Sequence, residues 1–371
     1  MAFRRGVCHL VLCLGLAMAL SGAGAAPRAK RQDHGEMPPP QVTPGEKVAV
    51  ALLELGRKRF EQGDLAGALE AFGRAQREAP RDPRPLYLRA AVYHKMNKIA
   101  EAEADLRAAL ALDPKLADVR AELGAILIDS GRTADAVSEL EQAVALQPDH
   151  FEALFNLGVA HETLGRWSEA ARAYERAARI RPQDADVRLN LAAALRRSGQ
   201  HDAALRAARE AVQLAPDDAQ AHFNLGLMLA EVKRLDEAAA ELVAATRLDP
   251  TMHKAWWRLG VVHSRRGDFD QALAALSRAR ALKATPEVLT DLGQVQRKRG
   301  DLAAAEQSFR SAVGLDGRYH VARIYLASML AQTNRCKEAL GELARVPERP
   351  DYIESVHRVR AQCQFNRAAK K

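Results

Sequence analysis

The chain has 371 residues, 48% of them apolar and only 5% aromatic, with a formal net charge of +8. Together with a mean hydropathy of −0.27, this suits a soluble helical protein built mainly from Ala, Leu, Arg and Glu. Length alone suggests two or three domains, but a regular internal period overrides that count.

The first residues have the form of an export signal. Arg4 and Arg5 precede the apolar run Val7–Leu20, and the small residues at Ser21–Ala26 offer a cleavage point after Ala25. The run is shorter than the ~20 residues that span a bilayer. Residues 1–25 are therefore expected to be a cleaved signal peptide, with a retained anchor as the alternative. The mature chain is expected to be periplasmic or secreted, without an integral membrane span. Cleavage removes Arg4 and Arg5 and leaves a net charge of +6. Outside the cytoplasm a basic chain meets anionic lipid, envelope polymer or acidic protein segments rather than nucleic acid. The alternative is a charge that serves solubility alone. Cys8 and Cys13 leave with the signal, so Cys336 and Cys363 remain. In an oxidising compartment two thiols point to one disulfide, with two buried free thiols as the alternative. Residues 26–48 are rich in proline and charge, lack an apolar period, and read as a disordered linker.

From Ala49 the chain repeats. Copies begin at Ala49, Pro83, Ala117, Phe151, Ala185, Ala219 and His253, spaced by 34 residues; one residue is then lost, and copies follow from Pro286 and His320. Places 4, 7, 8 and 11 of each copy form a helical stripe, as Leu154, Leu157, Gly158 and His161 do in the fourth. Place 15 is a helix stop, held by Gly in six copies and by Asn97 and Asn334 in two more, so that only Lys233 departs. A second helix follows, and in the first six copies a proline from Pro80 to Pro250 ends the unit. Place 8 is Gly or Ala throughout and place 20 is always Ala, which lets the two helices approach closely. A larger residue at place 24, such as Phe72, Tyr174 or Phe309, fills the gap alongside.

A helix-turn-helix of this length, with Leu-Gly at 7 and 8, Ala at 20 and 27 and Pro at 32, resembles the tetratricopeptide repeat family. The resemblance spans residues 49–350. It implies an all-α fold, a right-handed α-solenoid superhelix of nine repeats in which each unit buries its apolar face against its neighbours. Residues 351–371 would add a capping helix, about Tyr352–Arg367, and a basic tail.

Chemistry is nearly absent from the sequence. There is no phosphate-binding glycine loop, no nucleophile elbow, and at His161 only half of a zinc-protease motif. His161 and His263 share place 11 and read as core-flanking side chains. No metal, cofactor or catalytic residue is expected, and the chain is not expected to be an enzyme.

What remains is surface. With the core stripe centred between places 7 and 8, places 2, 6, 9 and 13 point away from it at 100° per residue. In the resembled family this face lines a groove for extended or helical segments of partners. Place 6 carries Asn156, Asn190 and Asn224, whose amides offer a donor and an acceptor to a peptide backbone. Place 5, at the edge of the face, carries Phe155, Phe223 and Trp257 and is expected to form an exposed aromatic row. Arg196, Arg197, Arg258, Arg265, Arg297 and Lys298 form a basic stretch toward the C-terminus, while Asp118, Glu152 and Asp186 make place 2 acidic earlier on. The alternative is asparagines inherited by duplication and arginines that are merely solvated.

The expected function is a non-enzymatic scaffold of the cell envelope. It would bind another protein in the groove and support assembly of a pilus, secretion, motility or polysaccharide-export machine. A carbohydrate or peptidoglycan binder, and a regulatory subunit of an envelope enzyme, are the alternatives. N-terminal sequencing of the exported protein is expected to read from Ala26; an intact Met1 on a membrane-bound species would overturn the signal reading.

Overall fold

The computed structural model describes residues 43–368, so the expected signal and most of the expected linker lie outside the described residues. Among the described residues there are 19 α-helices and no strand, divided at Gly199 into two compact units. The first unit holds α1 (Pro44–Glu61), α2 (Leu65–Glu78), α3 (Arg84–Lys95), α4 (Ile99–Leu112), α5 (Ala117–Asp129), α6 (Thr133–Leu146), α7 (Phe151–Thr163), α8 (Trp167–Ile180) and α9 (Ala185–Arg197). The second begins with α10 (His201–Leu214), α11 (Ala219–Glu231), α12 (Leu235–Leu248), α13 (His253–Arg266) and α14 (Phe269–Leu282). It closes with α15 (Pro286–Lys298), α16 (Leu302–Leu315), α17 (His320–Gln332), α18 (Cys336–Leu343) and α19 (Pro350–Ala368). Within each unit, consecutive helices pair as hairpins, and each second helix packs on the first helix of the next copy. No described helix is long and apolar enough to cross a membrane.

The first helix starts earlier than the apolar period suggests. Thr43 caps it: its hydroxyl accepts from the Glu46 N–H at 3.2 Å, and the Glu46 carboxylate accepts from the Thr43 N–H at 2.7 Å. Pro44 suits the first helical position, where no N–H is needed. Residues 44–48, expected as linker, are therefore helix. A proline-rich composition conceals a helix start because proline is favoured there.

The repeat pattern becomes packing. The place-20 alanines, from Ala68 to Ala339, are fully buried in all nine copies. At Gly158 an added Cβ would lie 2.5 Å from the Tyr174 ring, and Gly56 and Gly293 meet Phe72 and Phe309 at 2.4 and 2.7 Å. Absence of a side chain at place 8 lets a ring lie flat on the facing backbone. Where place 8 is Ala90, place 24 is the smaller Leu106, and both are fully buried.

The nine inter-helix turns are all left-handed at place 15, including Asn97, Asn334 and Lys233 at φ of 58°, 63° and 63°. Lys233 thus departs from its equivalents in residue type but not in conformation, and the left-handed turn costs a lysine about 1–2 kcal/mol.

Place 4, expected within the apolar stripe, is polar in several copies for a reason the period does not show. Arg120 Nη2 donates to Pro114 O at 3.0 Å, Trp256 Nε1 to Pro250 O at 3.0 Å and Arg323 Nε to Gly317 O at 3.2 Å. His222 Nε2 lies 2.9 Å from Pro216 O. Each side chain reaches back to a loop carbonyl that the ending helix leaves without a backbone donor. Arg120 and Arg323 also pair at 2.6 Å with Glu139 and Glu342 on the second helix of the same copy.

At the C-terminus α18 is only eight residues long, and α19 packs across it and α17, burying Val356, Val359 and Cys363. Gly158→Ala is expected to destabilise the protein by about 1–3 kcal/mol, although alanine is the better helix former. Adding Tyr174→Leu should recover part of that loss, by analogy with Ala90 and Leu106. Chemical denaturation of the three variants checks this; a neutral or stabilising Gly158→Ala would refute the contact.

Candidate interaction surface

In each unit the first helices of successive copies touch one another, whereas the second helices make no comparable contact among the described residues. The first helices therefore present one wall per unit, and places 2, 6, 9 and 13 lie on it.

The wall of the first unit is acidic and internally neutralised. His94 Nδ1 lies 3.1 Å from Glu122 and its Nε2 3.3 Å from Asp129, so one imidazole of the second copy bridges two carboxylates of the third. The hydrogen bonds to Asp129 and then Glu122 raise the His94 pKa to about 9. His150 Nε2 lies 3.0 Å from Asp118, at ion-pair distance but without hydrogen-bond alignment. Its Nδ1 accepts from the Ala153 N–H and caps α7. Glu152 pairs with Arg181, whose guanidinium lies 3.6 Å from the centre of the Phe151 ring.

The expected exposed aromatic row is not there. Phe155 is 5% exposed, 5.7 Å edge-on from Tyr174 and 6.1 Å from Phe151; Phe223 is 8% exposed. A large apolar side chain at the border of the stripe turns inward, because burying a phenyl ring gains about 2–3 kcal/mol. Only Trp257 stays half-buried. Asn156 is also deeper than expected, at 4% exposed, yet its amide is not sealed from solvent. Asn190 and Asn224 are half-buried, and the Asn224 side-chain oxygen accepts from Gln220 at 3.0 Å. Arg196 is half-buried, and Arg197 stacks 4.7 Å over Trp167.

The second unit differs in its charge balance. Trp257 Nε1 donates to Asp291 Oδ2 at 2.7 Å, and the Arg258 guanidinium covers the Trp257 ring at 4.2 Å. Burial raises the Asp291 pKa, opposed by the Trp257 hydrogen bond and by the charges of Arg258 and Arg265. The same two first helices also carry Lys254 and Arg265 on α13 and Arg297 and Lys298 on α15. Among the described residues none of these four has a carboxylate at ion-pair distance, although Lys298 lies 5.4 Å over the Phe269 ring. Asp291 escaped the sequence reading because an acid among place-6 residues looks like any solvated charge; its one signal is its position 34 residues after an unusual Trp.

His161 and His263 are buried, as place 11 implies, and burial lowers both pKa values. No group of three or more His, Cys, Asp or Glu side chains gathers as metal ligands among the described residues. The expected Cys336–Cys363 bridge is not made in the structure: both are buried free thiols within one apolar cluster.

The tetratricopeptide repeat profile matches residues 53–117, 122–185, 189–253 and 290–353, and a second profile of the same family matches 229–290. The chain belongs to the tetratricopeptide repeat family. Its hairpins are the repeats of an all-α solenoid, a fold that serves as a scaffold for protein–protein interaction. Among curated proteins, none matches the sequence. Similar solved structures include PilF of Pseudomonas aeruginosa, 21% identical over 56% of this chain and 95% of that one, with a TM-score of 0.50. YrrB, described as a tetratricopeptide repeat protein with an unusual peptide-binding site, is 24% identical over 48% and 92% of the two chains, with a TM-score of 0.44. MamA is 22% identical over 47% and 95%, with a TM-score of 0.42. At these identities the likeness is one of fold.

The His94 bridge has a pH signature. Its folded pKa lies above the unfolded value of 6.5, so its stabilisation is complete below pH 6.5 and is lost as pH rises through about 9. The bridge is partly screened, so the loss should be on the order of 1 kcal/mol. Urea midpoints should fall across this window in the native protein and stay flatter in His94→Gln; parallel profiles would refute the bridge.

Proposed function

We propose that the protein is a non-enzymatic scaffold of the cell envelope that holds an acidic, extended segment of a partner protein on the first-helix wall of its second unit. The observation that carries this reading is the contrast between the two walls. In the first unit, carboxylates and cations satisfy one another. In the second, Lys254 and Arg265 on α13 and Arg297 and Lys298 on α15 share the first-helix wall with a half-buried Trp257, and among the described residues none of the four has a carboxylate at ion-pair distance. Such a group attracts an anionic segment at long range and selects against basic ones. Trp257 supplies the apolar anchor, fixed by Asp291 and Arg258 rather than free to rotate.

The carbohydrate reading needs aromatic faces open for stacking. Phe155 and Phe223 are buried, and Arg258 covers one face of Trp257, which favours the peptide. The place in the envelope is supported by the signal-like Arg4–Ala26 segment of the sequence. The absence of catalytic motifs supports a binding role.

A labelled ten-residue peptide rich in Asp and Glu, offered to the mature chain beside its Asn/Gln counterpart, tests the proposal. The acidic peptide should bind preferentially, with an affinity that falls as salt rises. Reversing two charges in Arg265→Glu/Lys298→Glu should weaken it about tenfold or more. Equal binding of both peptides, or an unaffected double variant with native circular dichroism, would overturn it.

A further inference from the structure

The end of the second unit contains a buried pair of thiols on two different helices. Cys336 is the first residue of α18, and Cys363 lies in the last two turns of α19. Both belong to one apolar cluster with Leu330, Leu343, Val346, Val356 and Val359. A third residue ties the two helices together here. Asn366, one turn beyond Cys363 on the same face of α19, donates from Nδ2 to Ala331 O at 2.8 Å and also touches Cys336 Sγ at 3.7 Å. The Cys336 sulfur therefore rests on the very face of α19 that Cys363 occupies. A free Cys packs as a small hydrophobe, and what distinguishes this pair is that the two reactive groups sit in one cluster on two different helices.

Besides the Asn366 hydrogen bond, α19 is held by Tyr352, which packs on the cluster and edge-on against His320, and by a thin apolar face. It buries a narrow stripe of Val356, Val359 and Cys363, while Ile353 and Phe365 are 44% and 70% exposed. Its partner α18 has only eight residues.

We propose that Cys336 and Cys363 are a reversible redox latch, a disulfide site that locks α19 over the ninth repeat when oxidised and leaves it free to open when reduced. The oxidant is an exposed disulfide of a small molecule or of a thiol–disulfide exchange protein. The Cys336 thiolate attacks one sulfur of that disulfide and expels the other as a thiolate, giving a mixed disulfide. The Cys363 thiolate then attacks the Cys336 sulfur and releases the second oxidant thiol. The pair loses two electrons and two protons, and the oxidant gains both. The order follows from access: Cys336 is 9% exposed at a helix start, whereas Cys363 is 2% exposed. Burial, with the neighbouring Cys336, pushes the Cys363 thiol up to about 12, so it reacts last. The latch is independent of any partner held on the first-helix wall.

The test uses the mature chain equilibrated with oxidised or with reduced glutathione, then probed by mass spectrometry and by trypsin under native conditions. Trypsin reads the opening of α19 at Arg358 and Arg360, both exposed but helical. The oxidised chain should lose two mass units, give one peptide pair joined through Cys336 and Cys363, and be cut in α19 at least about tenfold more slowly. Cys336→Ser and Cys363→Ser, each folded by circular dichroism, should be cut at the same rate in both buffers. Two thiols still alkylated after denaturation of the oxidised sample would overturn the proposal. So would a bridge only between chains, or a bridge that leaves the cutting rate unchanged.

Discussion

Much of each repeat depends on how closely its two helices approach, and in six of the nine that distance is set by an atom that is missing. With no β-carbon at place 8, a Tyr, Phe or Leu at place 24 lies directly on the opposite backbone. The fully buried place-20 alanines hold the other side of the same seam. A hairpin closed this tightly has one side free for its own solvent wall and one for its neighbour. Because each repeat builds its seam from the same places, with a small residue at place 8 throughout, the first helices within a unit stand in register, and chemistry at places 2, 6, 9 and 13 accumulates along a surface. The interaction wall is a consequence of the seam.

On that wall, charge is arranged in two different ways. In the first unit His94 and Arg181 bind carboxylates of their own chain, so the electrostatics stabilise the solenoid. In the second, Lys254, Arg265, Arg297 and Lys298 have no carboxylate at ion-pair distance among the described residues, and Asp291 is engaged by the Trp257 indole. A charge already paired within the chain has little to offer a ligand, since the existing partner must first be displaced. The distinction between a structural and a recognising charge is thus made by neighbours rather than by residue type.

This distinction also decides what the sequence could show. The period, the first-helix starts at Ala117, Phe151, Ala185, Ala219, His253, Pro286 and His320, and the left-handed turns are all legible, because each is a local rule repeated at fixed spacing. The depth of Phe155, Phe223 and Asn156 was not. Those places lie on the border of the helical stripe, where ring size and the gap beside Tyr174 determine which way a side chain turns. Nor was the role of place 4: Arg120 and Arg323 look like interruptions of an apolar stripe until the loop carbonyls of the preceding repeat are seen beside them. The helix start at Pro44 was hidden by composition, since the residues that begin a helix well are also those that make a linker.

The left-handed lysine at position 233 bears on how such an array comes apart. Solenoids have no central core, so each repeat is secured by itself and by two neighbours, and the array behaves as a row of coupled springs rather than as one block. Eight of its nine turns carry glycine or asparagine, for which the geometry is inexpensive; the sixth carries a long side chain with neither glycine's freedom nor asparagine's local amide hydrogen bond. A row of springs with one softer member yields there first when it is pulled or heated. Lys233 therefore places a fault line in the middle of the molecule, so that amide exchange and mechanical rupture have an interior starting point besides the fraying ends.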